Sequence, residues 1–185
     1  LVRGLTAMHK PFFTVRWTGD VDGHLLLLDQ TRLPGEVVYL RCRDIRDVWQ
    51  AIRELRVRGA PAIGVAAAYG VCLGLRGIGE SDLCECVSDT CDYLATSRPT
   101  AVNLFAALER MRRASRGVLA PESCAEARGR GRPGSLDDEG SLRERLLAEA
   151  RAIDAEDREM CASMARHGAD LLDFLPVGAG ILTHC

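Results

Sequence analysis

The stretch ELRVRGAPAIGVAAAYG, residues 54–70, sets a charged and bent tetrapeptide directly before an apolar, small-sided run. The tetrapeptide is Arg58-Gly59-Ala60-Pro61, and each residue type suits one part of an anion site. Glycine tolerates the left-handed backbone that lets main chain approach a ligand. Proline in the first turn of a helix forfeits only an N–H that has no partner there. The free N–H groups of a helix start, with the positive end of its dipole, favour an anion. Arg58 adds a forked guanidinium that matches phosphate oxygens. The pattern predicts a phosphate cradle at 58–61. The plainer alternative is a helix–turn–helix with Arg58 in solvent.

The elements that must position this turn follow from periodicity and punctuation. Residues 12–17, 25–28 and 37–40 read as short strands, separated by Gly19-Asp20, Asp22-Gly23 and Pro34-Gly35. They predict a small antiparallel sheet. Asp44 is expected to cap a helix that buries Ile45, Val48, Trp49, Ile52 and Leu55 and stops at Gly59. The run from Ala60 to Leu75 reads as a central helix, because Gly64, Ala67, Ala68 and Gly70 let neighbouring backbones come close. Ser81 is expected to cap a third helix, with Leu83, Val87, Cys91 and Leu94 inward. Arg98-Pro99-Thr100 breaks it and starts a fourth, with Leu104, Phe105, Leu108 and Met111 as its stripe.

Residues 117–140 lose periodicity and turn rich in Gly, Arg, Pro and Ser, which predicts a surface insertion. A basic nucleic-acid tail is the rival there, but Asp137, Asp138 and Glu139 offset the arginines. Ser141 with Glu144 forms a capping box. It opens a long helix on which Leu142, Leu146, Ala150, Ile153, Met160, Cys161 and Met164 recur, with Gly168 as the expected stop. The segment from Gly178 to Cys185 reads as a turn entering a buried strand. A strand of that kind needs neighbours on both edges.

Composition narrows the function classes. The chain has 185 residues, 47% of them hydrophobic, so one ordinary domain or two small ones can form a core. A net charge of -2 argues against a general nucleic-acid surface. Among 24 basic residues Lys10 alone is lysine, which fits a coding bias before it fits many anion forks. The apolar run Ala60–Leu75 is shorter than the ~20 residues a bilayer requires and carries a proline and glycines, so no membrane span is expected. Eight cysteines, at positions 42, 72, 84, 86, 91, 124, 161 and 185, read as free thiols in a reducing cytoplasm. Cys84, Cys86 and Cys91 do not make a metal site on a helix, because residues two apart point in different directions. The chain opens on Leu1, and Met8 is the expected start of the domain.

Four stretches together resemble the methylthioribose-1-phosphate isomerase family: LLLLDQTRLPGEVVYL, AIRELRVRGAPAIGVAAAYG, SRPTAVNLFAALERM and the terminal GILTHC. They occur in the family's order and cover most of residues 25–185 outside the insertion. The family is similar in fold to the regulatory subunits of eukaryotic translation initiation factor 2B and to ribose-1,5-bisphosphate isomerase. The resemblance implies an α/β protein, with a small antiparallel sheet and helical bundle at residues 8–116 and the insertion at 117–140. A long helix and connection at 141–176 then lead to the first strand of a Rossmann-like parallel sheet at 177–185.

The resemblance also implies chemistry: an aldose-to-ketose isomerisation of 5-methylthioribose 1-phosphate in methionine salvage. Arg58, Gly59 and Ala60 would contact the phosphate or sugar, and Arg98 would be a second substrate-binding arginine. Cys185 would be the active-site cysteine, where a lowered thiol pKa would let it exchange a proton. His184, its neighbour on the strand, would face the other way. His167 reads as a helix-terminal cation or packing residue. No metal or organic cofactor is implied, and the partners are a sugar phosphate and a second copy in a homodimer, with no nucleic acid or membrane. The family's general-acid aspartate, a glutamine and an Asn-Lys pair would fall beyond residue 185, so the chain by itself is expected to be an inactive fragment. Two alternatives stand beside this reading: a noncatalytic regulatory or assembly module like the initiation-factor relatives, and a ribose-1,5-bisphosphate isomerase.

Overall fold

Short runs rich in apolar residues build three strands near the start of the chain: β1 (Val15–Thr18), β2 (His24–Leu28) and β3 (Tyr39–Cys42). The structure, a computed structural model, describes residues 12–79, 82–116, 141–176 and 178–182, with the backbone alone at Cys84. The strands form one antiparallel sheet in the order β1-β2-β3. Val15 stands opposite Leu27 and Leu25 opposite Cys42, so these four share the core side. The β1–β2 register is fixed at the turn, where the Gly23 N–H donates to the Asp20 carbonyl at 2.7 Å. The sequence pattern places β1 and β3 too early: β1 starts three residues later and ends one later, and β3 lies two residues later.

Asp44 caps α1 (Ile45–Arg53) as expected. Its carboxylate accepts from the N–H groups of Arg46 and Asp47, and Asp47 accepts in return from Arg43 and Asp44. Such a reciprocal box satisfies the donors that a helix start leaves unpaired. The helix stops earlier than Gly59. The N–H groups of Arg56 and Val57 both fold back onto the Ala51 carbonyl, at 2.9 and 3.3 Å, and Leu55 swings to φ 60°. Leu55 is therefore exposed and does not join the buried face of Val48, Ala51 and Ile52.

The centre of the bundle is α2 (Ala60–Gly74), whose residues from Ile63 to Leu73 are all buried. A helix apolar on every side has no solvent face to offer. Its glycines meet neighbours at backbone distance. A Cβ on Gly64 would stand 2.8 Å from the Asn103 carbonyl, one on Gly70 would meet Val48 and Leu94, and one on Gly74 would meet Thr90 and Ile45. Around it pack α3 (Leu83–Ala95) and α4 (Val102–Arg116). Leu83, Val87, Cys91 and Leu94 are buried in α3 as the spacing predicts. Asp82 is the residue before α3, and Ser81 lies outside the described residues. In α4 the stripe is Leu104, Ala107, Leu108 and Met111, while Phe105 is 41% exposed. One step along a helix turns a side chain by about 100°, which carries Phe105 off the stripe that Leu104 defines.

Ser141 and Glu144 form the expected box at the start of α5 (Leu142–Leu172). Leu142, Leu146, Leu147 and Ala150 are buried, whereas Met160, Cys161 and Met164 are exposed although they continue the same apolar recurrence. Gly168 does not stop the helix, which continues to Leu172. Nothing crowds Gly168, and a mid-helix glycine costs only about 1 kcal/mol. Pro176 follows soon after the observed end. Residues 178–182 are exposed and in no strand, so the expected strand is not formed among them. The 117–140 insertion and residues 183–185 lie outside the described residues.

Tyr69 ties three layers together. It is buried, stacks on Trp17 of the sheet at 5.4 Å, and donates its hydroxyl to Asp154 of α5 at 3.1 Å. Burial and then the Asp154 carboxylate push its phenol well above the ordinary range. Arg110 of α4 adds a charged clamp on Glu149 at 2.8 Å and on Glu156 of α5. Among the described residues no helix is long and apolar enough to cross a membrane.

Candidate functional site

The turn at 58–61 is built from its ends inward. Val57 is fully buried and anchors the turn from one side, while Arg58, Gly59, Ala60 and Pro61 are exposed. The Arg58 Nε donates to the Leu55 carbonyl at 3.0 Å, which folds the base of its side chain back along the turn. Gly59 has φ 93°, and nothing lies within 4 Å of the place a Cβ would occupy. Glycine is required here by the backbone angle, and the space beside it stays open to a ligand. No side chain among the described residues caps α2, and Pro61 sits in its first turn. The start of α2 thus presents backbone donors and the positive end of a dipole beside an exposed guanidinium.

A residue just past β2 holds this turn. The Gln30 N–H donates to the Arg56 carbonyl at 2.8 Å, and its Nε2 donates to the Arg58 carbonyl at 3.4 Å. Spacing of 28 residues hides that support from any local reading of the sequence. Two clefts flank the turn. One, of about 420 Å³, is lined by Asp29, Thr31, Arg32, Val38, Glu54 and Arg56. The other, of about 250 Å³, lies between Phe12–Val15, Ala62 and Val65 of α2, and Asp154, Asp157 and Arg158 of α5.

Arg98 lies in the connection between α3 and α4. Ser97 is buried and caps back onto the Leu94 carbonyl with its hydroxyl at 2.6 Å, so the chain leaves α3 abruptly. The Ala101 N–H donates to the Arg98 carbonyl at 3.1 Å and turns the chain into α4. Leu94 lies against Gly70, and Asn103 lies against Gly64. The connection carrying Arg98 therefore joins a helix end set against Gly70 to a helix start set against Gly64. Among the described residues no hydrogen bond or ion pair joins Arg58 and Arg98. Arg98 is half-buried and Arg58 exposed.

The third expected site residue, Cys185, lies outside the described residues, as does His184. His167 is exposed within α5, with its Nδ1 2.9 Å from the Ser163 carbonyl. The buried thiols are unsuited to nucleophilic work. Burial pushes Cys42 and Cys72 up to about 12 and Cys91 up to about 11. A thiol held neutral in this way is a packing group. No group of three or more His, Cys, Asp or Glu among the described residues is arranged to hold a metal ion.

The sequence that matches a known family begins at the Arg58 turn. The model of the initiation factor 2 subunit family matches residues 56–185, from two residues before Arg58 onward. The chain belongs to the initiation factor 2 subunit family. Within it, the chain is 47% identical over 178 residues to a methylthioribose-1-phosphate isomerase of Geobacter metallireducens, covering 94% of this chain and 45% of that protein. It is 40% identical over 181 residues to a 5-deoxyribose 1-phosphate isomerase of Moorella thermoacetica, covering 96% and 45%. Among solved structures, 5-methylthioribose 1-phosphate isomerase of Pyrococcus horikoshii superposes with a TM-score of 0.70 at 28% identity, over 90% of this chain and 42% of that one. The delta subunit of translation initiation factor eIF-2B from A. fulgidus gives 0.68 at 33% identity, over 86% and 41%. The chain spans less than half the length of these relatives. The family resemblance carried by the four sequence stretches is thus borne out.

Proposed function

We propose that this family member works as the substrate-phosphate-binding part of a sugar-phosphate isomerase, converting 5-methylthioribose 1-phosphate to 5-methylthioribulose 1-phosphate in methionine salvage. The observation that supports the reading is the exposed Arg58–Pro61 turn at the uncapped start of α2, where Gly59 takes φ 93° with open space beside it. Two arginines and an uncapped helix start suit the dianionic phosphate on C1. Relatives named as isomerases of ribose 1-phosphates carry the same stretch of chain.

The reaction moves hydrogen from C2 to C1 of an aldose whose anomeric oxygen is blocked by phosphate. Arg58 and the N–H groups of α2 hold that phosphate, and Arg98 holds a second polar group of the sugar. Fixing the substrate at two points removes most of its freedom before chemistry starts. Cys185 is the proton-exchanging group in this reading, at the end of the first strand of a Rossmann-like sheet formed with the rest of a longer, homodimeric protein. An enediol route with a base and an acid, and a direct hydride shift, are both compatible with these roles.

The test is direct binding of 5-methylthioribose 1-phosphate to the chain, measured by calorimetry with wild type and Arg58→Ala. A charged hydrogen bond to phosphate contributes about 1.5–3 kcal/mol, so the variant is expected to bind roughly 10–150-fold more weakly. Equal affinity in the two proteins rejects the cradle. The initiation-factor likeness supports a second reading, a noncatalytic regulatory module. Wild type that binds no sugar phosphate at all favours that module.

A further inference from the structure

At the opposite end of α2 from the Arg58 turn, two arginines converge on a small enclosed hollow. Arg76 follows α2 directly and Arg143 is the second residue of α5. Each spends one nitrogen on a backbone carbonyl: Arg76 Nη1 on Arg43 at 2.9 Å, and Arg143 Nη2 on Ile78. Their remaining inward nitrogens, Arg76 Nε and Nη2 and Arg143 Nε, are buried without a hydrogen-bond partner. Both side chains line the same hollow of about 10 Å³, closed on its other sides by Val21, Cys72, Leu75 and Leu146.

Three orphan donors on two like charges are costly to bury. A water molecule does not settle the account, since it accepts about two hydrogen bonds and brings two hydrogens that need acceptors of their own. Asp22 also lines the hollow, yet it forms no ion pair with either arginine among the described residues. The neighbourhood is electropositive. Arg41 approaches His24 at 3.4 Å, and the His24 imidazole is held below its usual range, first by desolvation and then by Arg41, Arg43 and Arg76.

We propose that this hollow is a binding site for one small monovalent anion of halide size, held by Arg76 and Arg143 and pinning the start of α5 to the end of α2. A hollow of about 10 Å³ favours one small ion over sulfate, phosphate or a sugar phosphate. The site is therefore distinct in chemistry and place from the Arg58 turn.

Crystals of the chain soaked in bromide are expected to show an anomalous peak within hydrogen-bond reach of both arginines. A water or the Asp22 carboxylate filling that position overturns the proposal. In solution, melting temperatures are compared in potassium chloride and potassium gluconate at equal ionic strength. Chloride is expected to raise the wild-type value saturably by roughly 2–6 °C, because a ligand that binds only the folded state stabilises it. Arg143→Met and Arg76→Met are expected to lose that increment, and Asp22→Asn to keep it. An increment of the same size in the methionine variants, or its loss in Asp22→Asn alone, overturns the proposal. If the methionine variants do not fold, the bromide peak decides.

Discussion

Gly59 and Cys72 show how differently single residues serve the two halves of the problem. At Gly59 the backbone takes φ 93° with open space beside it, so any other residue is strained there although nothing blocks its side chain. That combination suits a place where a ligand, and not the protein, completes the surroundings. Cys72 is the reverse case, a thiol enclosed by the core and pushed from 9.0 to about 12 by burial. An unfolded thiol ionises near pH 9. Between pH 9 and 12 the folded chain holds a proton that the unfolded chain has released, so stability present below pH 9 drains away as pH rises. Cys72→Ala is expected to lose melting temperature less steeply than wild type from pH 9 to 11. Parallel slopes would show that Cys72 stays neutral in both states or ionises alike in both.

Among the elements, the contact of α2 with α4 sets the geometry of the candidate site. Gly64→Val would drive a branched side chain into the Asn103 carbonyl, 2.8 Å from the first added carbon. Overpacking of this kind costs about 1–3 kcal/mol, so a melting temperature lower by roughly 2–10 °C is expected, together with weaker sugar-phosphate binding. Normal stability and binding would mean that the two helix starts are not tightly registered. Much of this architecture was legible in the chain itself. The caps at Asp44 and Ser141, the small-residue run of α2 and the inward positions of α3 all follow from local chemistry. The misses share a physical cause. Leu55, Phe105 and Met164 are apolar residues at or near helical spacing, but spacing says nothing of whether a neighbour is present to cover them. Gly168 misled because a stop signal needs the chain to turn, and nothing there makes it turn. The Arg58 turn was visible as a motif, whereas its support from Gln30 depends on a contact between distant segments.

For the molecule as a whole, one long helix governs what the bundle can do next. Arg143 of α5 lies beside Ile78, and Asp154 lies beside Tyr69, so α5 runs antiparallel to α2. Its outer part passes the end of the bundle where α2 begins and carries Met160, Met164, Leu171 and Leu172 in exposed positions. An apolar surface of this kind promotes association. The double variant Met164→Lys and Leu171→Lys is expected to lower self-association in sedimentation velocity, with its melting temperature within about 2 °C of wild type. Unchanged sedimentation would place any self-contact elsewhere.

Among the described residues the same helix is held for only part of its length: its last cross-links to the bundle and sheet are Glu156 to Arg110 and Arg158 to the Val15 carbonyl. Its 31 residues are continuous in hydrogen bonding but not in support. In deuterated buffer, amides before Arg158 should retain protons for as long as those of α2, and amides after it should exchange early, dividing a single unbroken rod into a slow segment and a fast one.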